Sequence, residues 1–427
     1  MLGWIKWLYP GLKVKRYLAL ALLGLLLIIA GLAVFDDAYF LSLLFAKVIK
    51  TFYRFWGSSF SWWLGIFLIG LGLTFLVIGF RNTIASLFTA LLPNQADRLV
   101  DLVYQRQSLS RGPKIVAIGG GTGLPTLLRG LKNYTSNITA IVTVADDGGS
   151  SGRLRWEFGI LPPGDIRNCL VALAETETLM DEVLNYRFTK GEGLEGHSLG
   201  NLVLAGLNQL TGSLDVAIRE LSRVLAVRGK VVPSTLDNAQ LCAEYVDGTI
   251  VQGESRIPVT GKPIKRVFLN TECSIVPEAK EAIKNADLII LGPGSLFTSV
   301  MPNLLVEGMI DALKESKAPI IYVCNIMTQP GETDGFTVSD HLQALLNHLK
   351  CNLIQYVVVN TSVIAGDVLK KYEEENSYPV KIDRKAIEKM GIKIIEGKIL
   401  NRSDLARHDS EALARLIISH SLLWKKK

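Results

Sequence analysis

Two stretches near the N-terminus, residues 17–35 and 62–80, run without a single charge and are built mainly of Leu, Ile, Gly, Ala and Phe. Each is about 19 residues, which as a helix rising 1.5 Å per residue nearly matches a hydrocarbon core of roughly 30 Å. The alternative is a buried helix of a soluble protein. Two such runs, flanked by Trp4, Trp7, Tyr9, Trp56, Trp62 and Trp63 together with basic residues, favour membrane spans, because aromatic and basic side chains settle at the interface. A cleaved signal would need a shorter apolar region and a small-residue cleavage site, and Phe35-Asp36-Asp37 offers neither.

The basic residues suggest an orientation. Lys6, Lys13, Lys15 and Arg16 precede the first span, and Arg81, Arg98, Arg106, Arg111 and Lys114 follow the second. The loop between has Lys47, Lys50 and Arg54 against Asp36 and Asp37. That contrast favours both termini in the cytoplasm, and hence a multi-pass protein of the cell inner membrane. Residues 40–56 place Leu41, Leu44, Phe45, Val48, Ile49, Phe52 and Phe55 at helical spacing, which predicts a helix lying in the interface. If they spanned instead, the rest of the chain would lie outside. Residues 81–111 read as an amphipathic connector, broken at Pro93 and closed by Gly112-Pro113.

From Lys114 onward the pattern changes to short β-branched runs alternating with helical periodicity. Strands are predicted at 114–118, 139–144, 266–269, 288–291, 320–324 and 354–359, and helices at 199–210, 215–225, 277–285, 303–315 and 339–349. Buried strands joined by crossover helices predict an α/β, Rossmann-like fold, with a mostly parallel sheet covered on both faces. The resulting division is a membrane anchor over 1–80, the connector over 81–111 and one large domain over 112–427. No internal repeat or low-complexity segment interrupts it. The five cysteines, Cys169, Cys242, Cys273, Cys324 and Cys351, are scattered without C-x-x-C spacing, which argues for reduced thiols rather than disulfides or zinc. The net charge of +6 is spread along the chain and gives nucleic-acid binding little support.

Ligands of such sheets bind at the carboxyl ends of the strands. The first loop there is Gly119-Gly120-Gly121-Thr122-Gly123, ahead of a helix beginning near Leu124. Glycines let the backbone approach a phosphate, and a helix N-terminus supplies free N–H groups. No Lys-Ser/Thr follows, so this is not a P-loop, and Thr126 stands where a dinucleotide fingerprint has its third glycine. A turn without a ligand is the alternative. The second loop holds Asp146-Asp147-Gly148-Gly149-Ser150-Ser151-Gly152-Arg153. Its acids could hold a ribose hydroxyl or Mg²⁺, and its serines and Arg153 suit a phosphate, against the alternative of a solvated turn. The third, Pro162-Pro163-Gly164-Asp165-Ile166-Arg167-Asn168, and the fourth, Gly196-His197-Ser198-Leu199-Gly200-Asn201, each open a helix. His197 could be a general acid or base, but no recognisable triad surrounds it, and a positioning or capping role is the plainer reading. Gly292-Pro293-Gly294-Ser295, then Asn325 with Thr328-Gln329, extend the cradle.

These strings, GGGTG, TVADDGGSSGRLR, PPGDIRN, GHSLGNL, VRGKV, DGTIVQGES, GPGSLFTSVMPNLL and MTQPGETDGF, resemble the CofD-like family from about Lys114 to Ser419. Within it the chain is most similar to the YvcK-type gluconeogenesis factors. The resemblance implies a Rossmann-like domain for nucleotide-linked ligands. It implies UDP-sugar binding for the YvcK branch, with links to carbon metabolism, cell shape and wall synthesis. CofD itself transfers 2-phospholactate to a deazaflavin with Mg²⁺. Lys371-Tyr372 and Arg407-His408 match positions where the YvcK branch contacts its UDP-sugar. Phe297 departs from the Tyr of many members, and the first 110 residues lie outside the usual family domain.

The leading expectation is therefore a membrane-tethered, regulatory UDP-sugar binder. Its candidate contacts are Gly120, Gly121, Thr122, Gly123, Asp146, Asp147, Ser150, Ser151, Arg153, Asp165, Asn168, His197, Ser198, Asn201, Gly292, Gly294, Ser295, Asn325, Tyr372 and Arg407. The competing readings are a Mg²⁺-dependent phospholactate transferase, with Asp146 and Asp147 at the metal, and a membrane scaffold with a vestigial site. The sugar, any turnover and a homo-oligomeric assembly stay open.

Overall fold

The computed structural model describes residues 14–35, 42–91, 99–175, 178–401 and 405–424. Trp4, Lys6, Trp7, Tyr9, Lys13, Asp36, Asp37, Phe40, Leu41, Pro93 and Arg98, invoked above, lie outside them. The chain divides into two compact units, Met1–Gln105 and Arg106–Lys427.

In the first unit, the helices Val14–Phe35 and Ser42–Leu91 pack together. Glycines set the closeness of that contact. A Cβ on Gly24 would come within 2.6 Å of the Gly72 carbonyl oxygen, and one on Gly79 within 2.6 Å of the Ala21 nitrogen. Leu22, Leu26, Trp63 and Phe67 point outward and are exposed. By length and composition, Val14–Leu32 and Trp62–Ser86 could each cross a membrane. The interfacial helix expected over 40–56 is not a separate element. Residues from Ser42 continue without a break into the second apolar run, as one helix of 50 residues. Such a helix is about 75 Å long, more than twice a hydrocarbon core.

The second unit is α/β. Its strands are β1 (Ile115–Gly119), β2 (Ile138–Val142), β3 (Lys230–Pro233), β4 (Leu241–Tyr245), β5 (Ile250–Gln252), β6 (Ile264–Leu269), β7 (Leu288–Leu291), β8 (Ile320–Val323), β9 (Tyr356–Asn360) and β10 (Lys393–Gly397). Seven of them form one parallel sheet in the order β10-β9-β8-β7-β1-β2-β3. The order reverses between β1 and β7, which is the topological switch point where open α/β sheets bind ligands. Successive residues feed opposite cores: Val116, Ile118, Ile289 and Leu291 face one, Ile115, Ala117, Leu288 and Ile290 the other. Burial on both faces is why these strands read as continuous apolar runs.

Three expectations change. The run at 266–269 belongs to β6 of a separate antiparallel sheet, ordered β5-β4-β6. The helix expected over 303–315 is two helices, Met301–Leu304 and Met309–Glu315, with Gly308 between them at a φ of +84°, and a π-turn, Leu296–Val300, precedes them. Strands β3, β4, β5 and β10 were not expected. β5 is a three-residue strand without buried positions, and β3 and β10 are sheet edges carrying Lys230, Lys393 and Glu396.

Candidate functional site at the switch point of the sheet

The loops after β1 and β7 meet at the switch point. Gly121 has a φ of +61°, left-handed backbone that favours glycine, and the helix Gly123–Leu131 begins two residues on with no side-chain cap. A Cβ on Gly123 would lie 2.6 Å from the Pro293 carbonyl carbon and 2.8 Å from the Gly294 nitrogen. The two glycine-rich loops are therefore in direct main-chain contact. Gly292 N–H donates to the Ile118 carbonyl at 2.8 Å, and Asn303 Nδ2 donates to the Gly119 carbonyl at 3.1 Å. Asn303 is fully buried, so it ties the end of β1 to the segment after β7.

Beside this seam lies a second, acidic group of loops. Asp165 sits under Gly121, accepting from its N–H at 2.7 Å. Burial first, and the charge of Asp146 second, push the Asp165 carboxyl up to about 7. Asp146 accepts from Gly148 N–H at 2.9 Å and is itself pushed up by burial. Asp147 turns away to the 3-10 turn Glu254–Arg256 that follows β5, where Ser255 N–H donates to it at 2.9 Å. That contact brings Glu254 in beside the other acids, and burial followed by the charge of Asp146 raises its carboxyl to about 8. The two adjacent carboxylates thus serve different segments, Asp146 its own loop and Asp147 the turn after β5. Among the described residues, no group of three or more Asp, Glu, His or Cys side chains is arranged to hold a metal.

The fourth loop is largely spent on internal bonds. Asn201 Nδ2 donates to Ser150 Oγ at 3.1 Å, and Ser150 Oγ lies 3.0 Å from His197 Nδ1. Burial holds the His197 imidazole below its ordinary value, so the neutral ring can accept from Ser150. Ser198 caps its helix by accepting from Asn201 N–H at 3.2 Å and also accepts from Arg167 Nη1. Arg167 Nη2 donates to Asn168 at 2.6 Å, and Arg153 donates to the Glu195 carbonyl at 2.7 Å. Ser151 is buried under Gly164, where any Cβ would collide with its hydroxyl.

A cleft of about 270 Å³ opens at the seam. Of the candidate contacts, Gly121, Thr122, Gly123, Gly294, Ser295, Asn325, Tyr372 and Arg407 line it. Gly120 and Gly292 sit just behind, with Gly120 so close to Thr143 and Asp165 that no side chain would fit. Asp146, Asp147, Ser150, Ser151, Arg153, Asp165, Asn168, His197, Ser198 and Asn201 belong to the neighbouring network. The far wall comes from the C-terminal part of the chain. Tyr372 Oη accepts from Ala406 N–H at 3.1 Å, which holds the ring beside Arg407 at the mouth. His408 is buried in the same wall with Nε2 unpartnered, and burial lowers its imidazole to about 4. Asn325 Nδ2 donates to Gln329 Oε1 at 3.0 Å, and Gln329 Nε2 to Ser295 Oγ at 2.6 Å.

Several residues at or beside the site were not candidates: Ser299, Asn303, Glu254 and Glu332. Glu332 is buried, accepts from Thr298 Oγ1 at 3.1 Å, and has a carboxyl raised by burial to about 7. Their signal lay inside the strings DGTIVQGES, GPGSLFTSVMPNLL and MTQPGETDGF.

Comparison with known proteins matches residues 115–400 to the family of 2-phospho-L-lactate transferase CofD. The chain belongs to the CofD family. A Bacillus subtilis member of similar sequence, "Gluconeogenesis factor", is 49% identical over 312 residues, covering 73% of this chain and 98% of that protein. A Nostoc sp. member, "Putative gluconeogenesis factor", is 46% identical over 424 residues, covering 97% of this chain and 92% of that protein. That alignment takes in nearly all of the N-terminal unit, so the segment placed outside the family domain is shared with a relative. A crystal structure of a Bacillus halodurans protein, BH3568, is 50% identical, with a TM-score of 0.70, covering 72% of this chain and all of that one. The chain is thus a gluconeogenesis-factor relative with a CofD domain.

Proposed function

We propose that this protein is a membrane-tethered binder of nucleotide sugars, whose occupancy regulates carbon metabolism or envelope synthesis. The observation that carries the reading is a single cleft walled by both kinds of group such a ligand needs. On one side is an uncapped helix N-terminus behind Gly121 and Gly123, suited to a diphosphate. On the other, Tyr372 offers a ring face and Arg407 a guanidinium that can pair bidentately with a phosphate. The UDP-sugar class comes from the resemblance to the YvcK branch. The gluconeogenesis-factor names of the relatives agree with a regulatory rather than a biosynthetic role. The two apolar helices support a tether, with the CofD domain on the cytoplasmic side.

The test is a melting-temperature screen of the detergent-solubilised full chain with UDP-glucose, UDP-N-acetylglucosamine, NAD and GDP, with and without Mg²⁺. A UDP-sugar at one hundred times its Kd should stabilise the domain by about 2.7 kcal/mol without metal. Arg407→Ala should remove most of that gain. No response to any UDP-sugar would refute the reading. Transfer of phospholactate by the purified chain would favour instead the Mg²⁺-dependent transferase, for which the family assignment is the supporting observation.

A further inference from the structure

The π-turn Leu296–Val300 is built around one side chain that the fold itself does not use. Ser299 and Val300 N–H groups both donate to the Ser295 carbonyl, at 2.9 and 3.0 Å. Leu296, Phe297 and Val300 enter the core, Phe297 edge-on to Phe336, and Thr298 donates to Glu332 at 3.1 Å. Ser299 faces the cleft instead. Only 6% of its surface is exposed, and its hydroxyl has no hydrogen-bond partner among the described residues. Its main chain is fixed, because Asn303 Nδ2 donates to the Ser299 carbonyl at 2.9 Å while holding the end of β1. The hydroxyl comes within 3.0 Å of where a Cβ on Gly121 would stand, beside the glycine loop.

The glycine loop is short of donors. The Gly121 N–H is taken by Asp165, and the third helical residue is Pro125, which has no N–H. The Leu124 N–H is drawn toward the Gly120 carbonyl, at 3.5 Å. An anion resting on this helix end would lack donors on the side facing the π-turn, which is the side that Ser299 lines.

The geometry points to Ser299 as a ligand-binding residue, the hydroxyl donor that completes an anion cradle with the helix N-terminus at Gly123. This rests on the diphosphate placement proposed above and names a residue for it. The π-turn supplies the geometry: the extra residue per turn rotates Ser299 into the cleft while its neighbours stay in the core, a use for which single π-turns are known.

The experiment is calorimetric titration of the detergent-solubilised full chain and its Ser299→Ala variant with UDP-glucose, inorganic pyrophosphate and uridine. Deleting an oxygen without a protein partner should leave the melting temperature of the ligand-free chain within about 2 °C of wild type. A hydrogen bond to a charged acceptor should cost the variant about 10- to 100-fold in affinity for UDP-glucose and for pyrophosphate. Uridine, which has no phosphate, should bind both proteins alike. Equal binding of UDP-glucose and pyrophosphate by the two proteins would overturn the assignment while leaving the nucleotide-sugar reading intact. Binding of pyrophosphate but no UDP-glucose by wild type, with the variant weakened, would uphold Ser299 and refute the nucleotide-sugar reading. Binding of neither probe by wild type would overturn both.

Discussion

Gly123→Ala is the sharpest test of how the cleft is held open. The added methyl has no room, since its ideal position is 2.6 Å from the Pro293 carbonyl carbon and 2.8 Å from the Gly294 nitrogen. These are backbone atoms between β7 and the π-turn, so relief requires the two loops to part. Overpacking of this kind costs about 1–3 kcal/mol, against up to about 1 kcal/mol gained by placing Ala in a helix. The net expectation is a loss of about 1–2 kcal/mol and a melting temperature lowered by several degrees. Ligand affinity should fall at least tenfold, because the shift moves the cleft walls themselves. Gly366→Ala is the control. It also opens a helix, but no atom lies within 4 Å of its Cβ position, so it should be neutral or slightly stabilising. Both variants would be followed by circular-dichroism melts and by UDP-glucose titration. A Gly123→Ala protein that melts and binds like wild type would refute the claim that this glycine sets the seam.

Glu332 tests the electrostatics. Its carboxyl is raised from 4.5 to about 7, so the folded state holds the proton more tightly and its contribution to stability is lost as pH rises from about 4.5 through 7. Glu332→Gln should therefore be more stable than wild type at pH 8, by at most about 3 kcal/mol, with the difference vanishing near pH 4.5; a difference independent of pH would count against it. His408 acts in the opposite sense. Held at about 4, it must be neutral to fold, so stability should fall as pH drops from 6.5 toward 4, and His408→Phe should flatten that slope in urea titrations. Asn303→Leu leaves the Gly119 and Ser299 carbonyls without their side-chain donor and should cost about 2–4 kcal/mol in the same assay. If the tether is real, the chain should stay in the membrane fraction through a carbonate wash, and a reporter after Lys427 should be cytoplasmic; release by the wash would end that reading.

What could be read from the chain depended on how far each signal reaches. The inner strands of the large sheet were legible because burial on both faces makes them uninterrupted apolar runs, as at Leu288–Leu291. The edge strand Lys393–Gly397 is half polar, and β5 has no buried residue, so neither carries that signal. The glycine loops stood out because their composition is unusual in itself. Ser299 and Asn303 did not, since their roles arise from a π-turn that no periodicity announces. The Ser150–His197 contact joins residues 47 positions apart and exists only once two helices are placed. Tyr372 and Arg407 would have passed as surface residues on chemistry alone; the resemblance singled them out, and the fold brings them to the cleft lined by Gly121.

The cleft is shared between the two ends of the CofD domain, and this bears on when it can exist. The helix Ser410–Trp424 packs on the helix Gly123–Leu131 so tightly that a Cβ on Gly130 would strike the Ser410 carbonyl, and Tyr134 Oη donates to Glu411 at 2.5 Å. The ribbon just before it delivers Arg407 and His408. A ribosome adding about 5–20 residues per second makes these some fifteen to sixty seconds after the glycine loop. During that interval the nascent chain can pair β1 with β2 but has no far wall for the cleft. On the nucleotide-sugar reading proposed above, a product truncated before residue 405 would hold most of the sheet yet lack Arg407 and His408, and should not bind the ligand.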